Sequence, residues 1–286
     1  MSHIAFLGTG LIGAGMIEAM LRRGLAVTAY NRSREKAEAL AALGAVVVAS
    51  PQEAVRGAER VHHALSEDGA VDSVLEAASP AIVDDMLVID HSTTSPAGVR
   101  ARVERWSRAR FVHAPVFMSP AMCRNPGGVM LVCGARARVD AAREHLAPMT
   151  GKVLDLGDRP DAAACFKLFG NAMIFALVGG LSDVFAMARA EGIEPAQALS
   201  LFEHFQVGNV LTYRGKSMAA GNYAPSFHLS MARKDLGLML DILSRAPEGS
   251  AVLEALSARF DERIAAGDGD LDLGVIGAPG ARAKVG

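Results

Sequence analysis

Short apolar runs alternate with amphipathic helical segments through the first half of the chain. The runs predict buried strands at residues 4–7, 26–30, 45–48, 61–65 and 86–90. Between them we predict a helix over residues 12–23, a second that Ser33 caps and that ends near residue 43, and a third that begins after Ser50 and Pro51. Because the strand runs are apolar throughout, we expect helices to cover both faces of the sheet. The pattern predicts an α/β fold with a doubly wound, mostly parallel sheet.

The pattern changes after Pro160. One long, mostly apolar helix is predicted over residues 162–190. Further helices are predicted at residues 196–205, 227–243 and 250–265. We therefore expect an α/β domain over residues 1–160 and an all-helical domain over residues 161–286. The most apolar part of the long helix, residues 172–181, is shorter than the roughly 20 residues that cross a bilayer, so no membrane span is expected.

The composition is that of a globular protein. Of the 286 residues, 51% are hydrophobic and 21% are charged, and the net charge is −2. This charge argues against nucleic acid or an anionic membrane as a partner. The three cysteines, Cys123, Cys133 and Cys165, form no C-x-x-C pair, so we expect neither a disulfide framework nor a metal site. A cytoplasmic location suits such a chain.

A glycine-rich turn follows the first predicted strand and opens the first predicted helix. It comprises Gly8, Thr9, Gly10, Leu11, Ile12 and Gly13. The first glycine permits a tight turn, the second lets the backbone approach a pyrophosphate, and the third lets helix and strand pack closely. The unpaired N–H groups of the helix N-terminus attract phosphate charge. Within a strand-turn-helix unit this motif predicts a dinucleotide-binding site.

The residues after the second predicted strand indicate which dinucleotide binds. An NAD enzyme usually has Asp or Glu there for the ribose 2′-hydroxyl, whereas this chain has Asn31, Arg32 and Ser33. Asn31 and Ser33 can hydrogen-bond a 2′-phosphate, and Arg32 can pair with it and stack on the adenine. The alternative is that Arg32 is a solvated surface residue and Ser33 only a helix cap. The missing carboxylate and the added cation together favour NADP(H).

Polar loops follow the fourth and fifth predicted strands. One contains Leu65 and Ser66, and the other contains Ser92 and Thr93. Because ligands of open α/β sheets bind outside the carboxyl ends of the strands, we expect these loops to flank the nicotinamide half of the cofactor. The alternative is ordinary turn chemistry, with Ser66 or Ser92 capping a helix.

A lysine and an asparagine share one face of the long apolar helix. Lys167 stands in an otherwise apolar stretch, and Asn171 follows one turn later. Desolvation there lowers the pKa of a lysine, which suits a proton donor to a carbonyl oxygen near neutral pH. The amide of Asn171 can position the same oxygen, and Gly170 leaves room for substrate or cofactor to approach. The alternative is a lysine that reaches solvent from the helix edge, beside an incidental asparagine.

Five motifs, in this order, resemble the β-hydroxyacid dehydrogenase family, which includes 3-hydroxyisobutyrate dehydrogenases and glyoxylate/succinic semialdehyde reductases. They are G-T-G-L-I-G-A-G-M from Gly8, S-T from Ser92, A-P-V from Ala114, K-L-F-G-N from Lys167 and F-H-L-S-M-A-R-K-D-L from Phe227. The resemblance covers nearly the whole chain. It implies a Rossmann domain followed by a helical domain, with the active site in the cleft between them.

The resemblance also implies roles for single residues. Lys167 would be the general acid/base, and Asn171 would orient the substrate. Residues implied to contact the cofactor are Thr93, Lys234 and, in place of the family's Leu-Pro turn, Leu65 and Ser66. Residues implied to line the site from the helical domain are Phe227 and Asp235.

One segment departs from the family's pattern. The family normally reads D-A-P-V-S-G-G, and its Ser-Gly-Gly binds the substrate carboxylate, whereas this chain has Phe117, Met118 and Ser119 at those three positions. The first two are bulky where the backbone must approach an anion closely. One interpretation is a pocket for a larger or less charged substrate. The other is that Phe117 and Met118 point into the core while Ser119 binds the carboxylate.

Three functions are compatible with these residues. The first is an NADP(H)-dependent oxidoreductase that interconverts a small hydroxy acid, or a similar alcohol, and its aldehyde or ketone by hydride transfer. The second is an imine reductase, which the residues Phe117 and Met118 favour and Lys167 disfavours, since imine reductases typically replace that lysine. The third is a catalytically silent NADPH-binding protein, which the intact Lys167 and Asn171 disfavour. The long apolar helix also suggests a homodimer or homotetramer.

Overall fold

The computed structural model describes residues 3–279. The chain folds into two compact units, one comprising the residues up to Asn171 and the other those from Ala172 onward. Each unit encloses a hydrophobic core of its own.

The first unit contains a six-stranded sheet whose paired strands are all parallel. Its strands are β1 (His3–Leu7), β2 (Val27–Tyr30), β3 (Val46–Val47), β4 (Ala58–His63), β5 (Leu87–Asp90) and β6 (Arg110–His113). The helices between them are α1 (Leu11–Arg22), α2 (Arg34–Ala41), α3 (Pro51–Val55), α4 (Asp68–Ala78) and α5 (Pro96–Arg105). The strand order β3-β2-β1-β4-β5-β6 is that of a Rossmann fold, so the predicted doubly wound sheet is confirmed.

Alternate residues of the central strand pack on opposite faces of this sheet. In β1, Ile4 and Phe6 join the cluster that includes Met16 of α1. Ala5 and Leu7 join a separate cluster with residues of α3 and α4. Successive side chains of a strand point to opposite faces, and here both faces are covered. This double burial explains why most residues of the strand segments are apolar in the sequence.

A second sheet of three strands completes the first unit, and the sequence patterns did not indicate it. Its strands, in spatial order, are β7 (Val116–Phe117), β8 (Val129–Val132) and β9 (Lys152–Asp155). The first pair is antiparallel and the second is parallel. Two helices accompany this sheet, α6 (Pro120–Arg124) and α7 (Arg136–Leu146). A two-residue strand beside a five-residue helix carries too little periodicity to be recognised.

The rest of the described chain is mainly helical. The helices are α8 (Ala162–Ala190), α9 (Pro195–His204), α10 (Asn209–Ala219), α11 (Leu229–Leu243) and α12 (Leu253–Ala265). Four of them match the predicted helices, with ends that differ by no more than three residues. The exception is α10, which was not predicted because Gly215 and polar side chains interrupt its apolar spacing.

The long helix α8 has a largely exposed apolar surface. Its most apolar 18 residues have a mean hydropathy of 1.7, and 17% of them are buried. Within residues 3–279 it is the one helix that is long and apolar enough, by length and composition, to cross a membrane. The expectation that its apolar stretch is too short is therefore wrong on length. Its exposed large side chains are Phe166, Leu168, Phe169, Met173, Ile174, Phe175, Leu177 and Val178.

Candidate active site

The glycine-rich turn joins β1 to α1 and leaves no room for a side chain at two of its glycines. Gly8 has a φ of +101°, and a Cβ there would lie 2.4 Å from the carbonyl oxygen of Ala64. A Cβ at Gly13 would lie 2.1 Å from the carbonyl oxygen of Gly8. A Cβ at Gly10, in contrast, would meet no atom within 4 Å. Two glycines therefore build the turn, and the third keeps the space beside it open.

The open side of the turn has the donors that a dinucleotide needs. α1 begins at Leu11 without an acidic residue in its first turn, so its N–H groups can attract phosphate without a competing negative charge. Thr9 is 4% exposed, and its hydroxyl has no hydrogen-bond partner among the described residues. A buried polar atom without a partner beside open space fits a bound polar group. The residues present therefore fit the pyrophosphate of a dinucleotide.

Asn31 supports this turn from the end of β2. Its Oδ1 accepts from the Thr9 N–H at 3.0 Å, and its Nδ2 donates to the Ser33 carbonyl at 2.9 Å, which leaves one amide N–H for a ligand. Ser33 stands at the N-cap of α2, but its side chain makes no cap hydrogen bond, so the expectation that it caps the helix is wrong. Arg32 is exposed. In the described part of the chain, neither the Arg32 guanidinium nor the Ser33 hydroxyl has a partner.

A buried carboxylate and a serine fasten the loops that follow β4 and β5. Asp90, the last residue of β5, accepts from the Ser92 N–H at 2.8 Å. The Ser92 hydroxyl accepts from the Leu65 N–H at 2.9 Å. Ser92 thus joins one loop to the other. Ser66 and Thr93, expected beside the nicotinamide, are exposed.

Arg102 of α5 anchors the loop that follows β5, and the sequence patterns did not reveal this role. Its buried guanidinium donates to Asp68 at 2.6 Å, to Asp72 at 2.7 Å and to the Thr94 hydroxyl at 3.3 Å. Asp68 also accepts from the Ser95 N–H at 3.0 Å. Burial opposes the positive charge, but the bonds to the two carboxylates outweigh it and raise the pKa of Arg102. The loop after β5 is therefore anchored to α4.

Two buried histidines form a hydrogen-bonded chain across the parallel sheet. Their rings, His62 and His91, stack with centroids 5.3 Å apart, and His62 Nδ1 lies 3.0 Å from His91 Nε2. Arg60 Nε donates to His62 Nε2 at 3.3 Å, and His91 Nδ1 lies 2.9 Å from the Ala114 carbonyl oxygen. An arginine Nε can only donate and a carbonyl can only accept. Each ring therefore carries its single proton on Nδ1, and both rings are neutral.

Burial maintains this neutral state. The pKa of His62 lies well below its ordinary value because of desolvation, with further lowering by the neighbouring His91 and Arg60. Desolvation also lowers the pKa of His91 to about 4, although the hydrogen bond to Ala114 and the charge of Asp90 oppose it. His62 and His91 are consequently both neutral at neutral pH.

A second pair of buried histidines flanks Asp90. His113 Nδ1 hydrogen-bonds Asp90 Oδ2 at 3.1 Å, and His63 Nδ1 lies 3.2 Å from Asp90 Oδ1. Burial acts to raise the pKa of Asp90, but the two histidines outweigh it and hold the pKa well below its usual range. Asp90 is therefore a carboxylate when it accepts from the loop after β5.

Lys167 lies under the ring of Phe117. Its Nζ is 4.2 Å from the ring centroid, and burial lowers the pKa of its ammonium. The same ring lies against the backbone of Gly170, where a Cβ would be 2.3 Å from the ring Cζ. The expectation that Gly170 leaves room for substrate or cofactor is therefore wrong, because Phe117 fills that space. Asn171 is half-buried one turn beyond Lys167.

The two residues after Phe117 have structural contacts. Met118 packs against the main core of the first unit. The Ser119 hydroxyl accepts from the Met122 N–H at 3.3 Å and caps α6. Met118 and Phe117 therefore both pack against core clusters of the first unit, as one interpretation predicted, and Phe117 also covers the lysine. The preference for a larger or less charged substrate stays a prediction.

The remaining predicted site residues lie in the second unit. On α11, Lys234 Nζ pairs with Asp235 Oδ1 at 2.7 Å. The Phe227 N–H donates to Asp272 at 3.2 Å, and Asp272 also accepts from Arg214 at 2.8 Å. Asp272 and Arg214 line a cavity of about 640 Å³ that the sequence patterns did not indicate.

Known proteins share this architecture. Residues 3–157 match the family model for the NAD binding domain of 6-phosphogluconate dehydrogenase, and residues 162–276 match that for the NAD-binding of NADP-dependent 3-hydroxyisobutyrate dehydrogenase. The chain is 26% identical over 275 residues to the uncharacterized oxidoreductase YfjR of Bacillus subtilis, covering 94% of this chain and 96% of that protein. It is 25% identical over 281 residues to glyoxylate/succinic semialdehyde reductase 1 of Arabidopsis thaliana, covering 96% of each.

A solved structure has the same fold. The imine reductase from Pseudomonas sp. superposes with a TM-score of 0.88 at 22% sequence identity, covering 96% of this chain and 98% of that one. The fold and its open glycine turn define the class of NAD(P)-binding oxidoreductases. Within that class, the chain belongs to the β-hydroxyacid dehydrogenase family, as its motifs predicted.

Proposed function

We propose that this protein is an NADP(H)-dependent enzyme that interconverts a small hydroxy acid, or a similar alcohol, with its aldehyde or ketone. The observation that carries the proposal is the setting of Lys167. The ammonium is half-buried on an apolar turn of α8, and desolvation lowers its pKa. A lysine in such a setting is a better proton donor near neutral pH than a solvated one.

The reduced nicotinamide, when bound, supplies a hydride to the carbonyl carbon. Lys167 donates a proton to the carbonyl oxygen, so that the carbonyl becomes an alcohol, and the lysine regains a proton from solvent. In the opposite direction the neutral amine accepts the proton of the hydroxyl. Asn171 donates an amide N–H to the same oxygen and orients it. The reduction consumes one NADPH and one proton for each carbonyl and yields one alcohol and one NADP⁺.

The NADP(H) preference rests on Arg32 and Ser33, whose side-chain polar atoms are free of partners within residues 3–279. Arg32→Ala is expected to weaken NADPH binding at least about tenfold, and NADH binding by less than about twofold, because only NADPH has the 2′-phosphate. Titration of NAD(P)H fluorescence measures both affinities. Arg34→Ala is the matched control, since Arg34 pairs with Glu38 on the surface of α2. Equal weakening of both nucleotides by Arg32→Ala would contradict the assignment.

We further propose that the exposed face of α8 packs against another copy of the chain, in a cytoplasmic homodimer or homotetramer. An apolar surface of this extent on a folded protein marks an interaction site. Asp183 of the same helix is 1% exposed and accepts from the N–H groups of Val252 and Leu253. A buried carboxylate bonded to neighbouring backbone favours a helix of a folded unit over a membrane span.

Light scattering after size exclusion tests this interface. The proposal requires a mass of twice or four times that of the 29.9 kDa chain. Phe175 is 70% exposed, and Phe175→Glu is expected to lower the oligomer's mass because it places a charge on the apolar face. A monomeric wild-type protein would contradict this part of the proposal.

Turnover of NADPH by the purified protein tests the catalytic proposal. The substrates are glyoxylate, succinic semialdehyde, and aldehydes and ketones without a carboxylate. At least one is expected to be reduced. A protein that binds NADPH and reduces neither these carbonyl compounds nor an imine would instead be a silent NADPH-binding protein.

An imine reductase is the second candidate, and the apolar ring of Phe117 over Lys167 favours it. Lys167 would then donate its proton to an imine nitrogen rather than to a carbonyl oxygen. A cyclic imine such as 1-pyrroline belongs in the same set of substrates. Turnover of the imine without turnover of any carbonyl would establish this alternative.

A further inference from the structure

The backbone of Phe117 is fixed by β8, and its ring packs against the core cluster of Leu131 and Ala163 and against Gly170. Phe117 ends β7 opposite Val129 of β8. Gly128, at a φ of +65°, packs so closely that a Cβ there would lie 2.4 Å from the Phe117 carbonyl oxygen. On the other side the ring fills the space over Gly170 of α8. The Phe117 ring is thus held in its contact with Lys167.

Three arginines of the first unit are not free to bind a carboxylate. Arg100 and Arg159, on α5 and just before α8, both pair with Asp161. Arg124 of α6 pairs with Glu18 of α1 at 2.9 Å. These three guanidinium groups are therefore already engaged.

The chemistry of the ring adds to this effect. The face of an aromatic ring carries partial negative charge, which attracts the Lys167 ammonium and repels an anion. The ring also removes water, so a carboxylate beside it would lose hydration, and the nearby Lys167 ammonium is already engaged with the ring face. An uncharged group attached to the carbonyl meets neither cost.

We propose that Phe117, seated on Gly170, selects the substrate, so that the enzyme prefers an uncharged aldehyde or ketone to one that carries a carboxylate. This inference rests on the proposed function, because it takes Lys167 as the proton donor. It assigns Phe117 as a specificity-determining residue. The substrate class is then that of simple carbonyl compounds and the corresponding alcohols.

Two aldehydes of equal chain length test this preference. Butanal and succinic semialdehyde differ only in having a methyl group or a carboxylate at the far end. The wild-type kcat/KM for butanal is expected to exceed that for succinic semialdehyde at least about tenfold, the effect of an uncompensated loss of carboxylate hydration. Phe117→Ser should lower this ratio at least about tenfold, whereas Phe117→Leu, which keeps an apolar cover, should keep it within about threefold.

The matched control is Leu43→Ser, an exposed apolar residue beyond α2, which should leave the ratio unchanged. Melting temperature and NADPH affinity show whether each variant is folded. A folded Phe117→Ser with the wild-type ratio overturns the inference, and so does a wild-type protein that prefers the acid.

Acylation of Lys167 tests the same preference without catalysis or a variant. The probes are the acetyl ester of N-hydroxysuccinimide and its sulfonated form, which differ by one negative charge. Peptide mass spectrometry compares Lys167 with the exposed Lys152 as an internal reference. The sulfonate is expected to slow Lys167 relative to Lys152 at least about fivefold more than the neutral ester does. Equal relative rates overturn the inference. If the protein reduces no carbonyl, the proposed function fails, and this measurement still decides the charge preference.

Discussion

Replacing His91 should remove a measurable part of the acid sensitivity of the first unit. In the folded protein its ring is neutral and buried, and desolvation lowers its pKa to about 4. In the unfolded chain the same ring has its ordinary pKa of about 6.5. The unfolded chain therefore gains a proton below pH 6.5 that the folded chain does not accept. Stability is complete above that pH and falls as the pH drops toward 4.

The size of the effect follows from the two pKa values. Between about pH 7.5 and 4.5 a single ring with these values lowers the free energy of unfolding by about 2.5 kcal/mol. His62 acts in the same direction, because burial lowers its pKa as well. Asp90 does not contribute in this range, since its folded pKa lies well below the usual value, and its stabilisation is lost only at lower pH.

Urea unfolding followed by tryptophan fluorescence measures this effect in the first unit alone. Trp106 is the single tryptophan and is 5% exposed in that unit's core. His91→Gln, which keeps a donor and an acceptor, is expected to lose about 2.5 kcal/mol less than the wild type over the same pH range. His204→Gln, on exposed α9, should behave like the wild type. If wild type and His91→Gln are equally sensitive to acid, the ring is not neutral in the folded state and the reasoning is refuted.

Two further pairs of variants test the site. Gly10→Ala should weaken NADPH binding at least about tenfold at an unchanged melting temperature, because its Cβ enters only the open space that the cofactor would occupy. Gly13→Ala should weaken NADPH binding and also lower the melting temperature, because its Cβ meets the Gly8 carbonyl. Wild-type NADPH affinity in Gly10→Ala would mean that the cofactor does not approach there. Arg102→Met should lower the free energy of unfolding by about 2 kcal/mol, because it removes the charge-assisted hydrogen bonds of a buried guanidinium. Arg105→Met, which removes an exposed ion pair, should lower it by less than about 1 kcal/mol, and equal losses in urea unfolding would show that burial is not decisive.

The parallel sheet could be predicted because its physics is local. Its first five strands are short, mostly apolar and followed by helices, whereas β6, which is followed by β7, was not predicted. Ser50 illustrates this local physics, since its hydroxyl accepts from the Glu53 N–H at 3.2 Å and Pro51 opens α3. The dinucleotide turn was predictable for the same reason, because its glycine spacing lies within one strand-turn-helix segment.

Contacts between distant residues could not be predicted in this way. The partners of Arg102 lie 30 and 34 positions away, and His62 contacts His91 across 29 positions. A useful signal does exist in the sequence, because His62, His63 and His91 stand in or directly after strands that are buried within the sheet. Polar residues in a buried strand need partners, and adjacent strands of the sheet supply them.

The segment at Phe117 shows most directly what the sequence patterns could not predict. The sequence identifies the residue as unusual for its family, but β7 is too short to fix the direction of the side chain. Only the register with β8 and the missing side chain of Gly170 place the ring over Lys167. The same contact corrects the expectation that Gly170 leaves space for a ligand.

Single-turnover reduction of a carbonyl by the NADPH-loaded protein, with Lys167→Met beside the wild type, tests the central claim most directly. Lys152→Met, a change at an exposed lysine of the same unit, is the matched control. We predict that Lys167→Met keeps its NADPH affinity within about twofold and slows the reduction by about 10²–10⁴, the usual contribution of a general acid. Reduction by Lys167→Met at the wild-type rate would contradict the assignment of Lys167 as the proton donor.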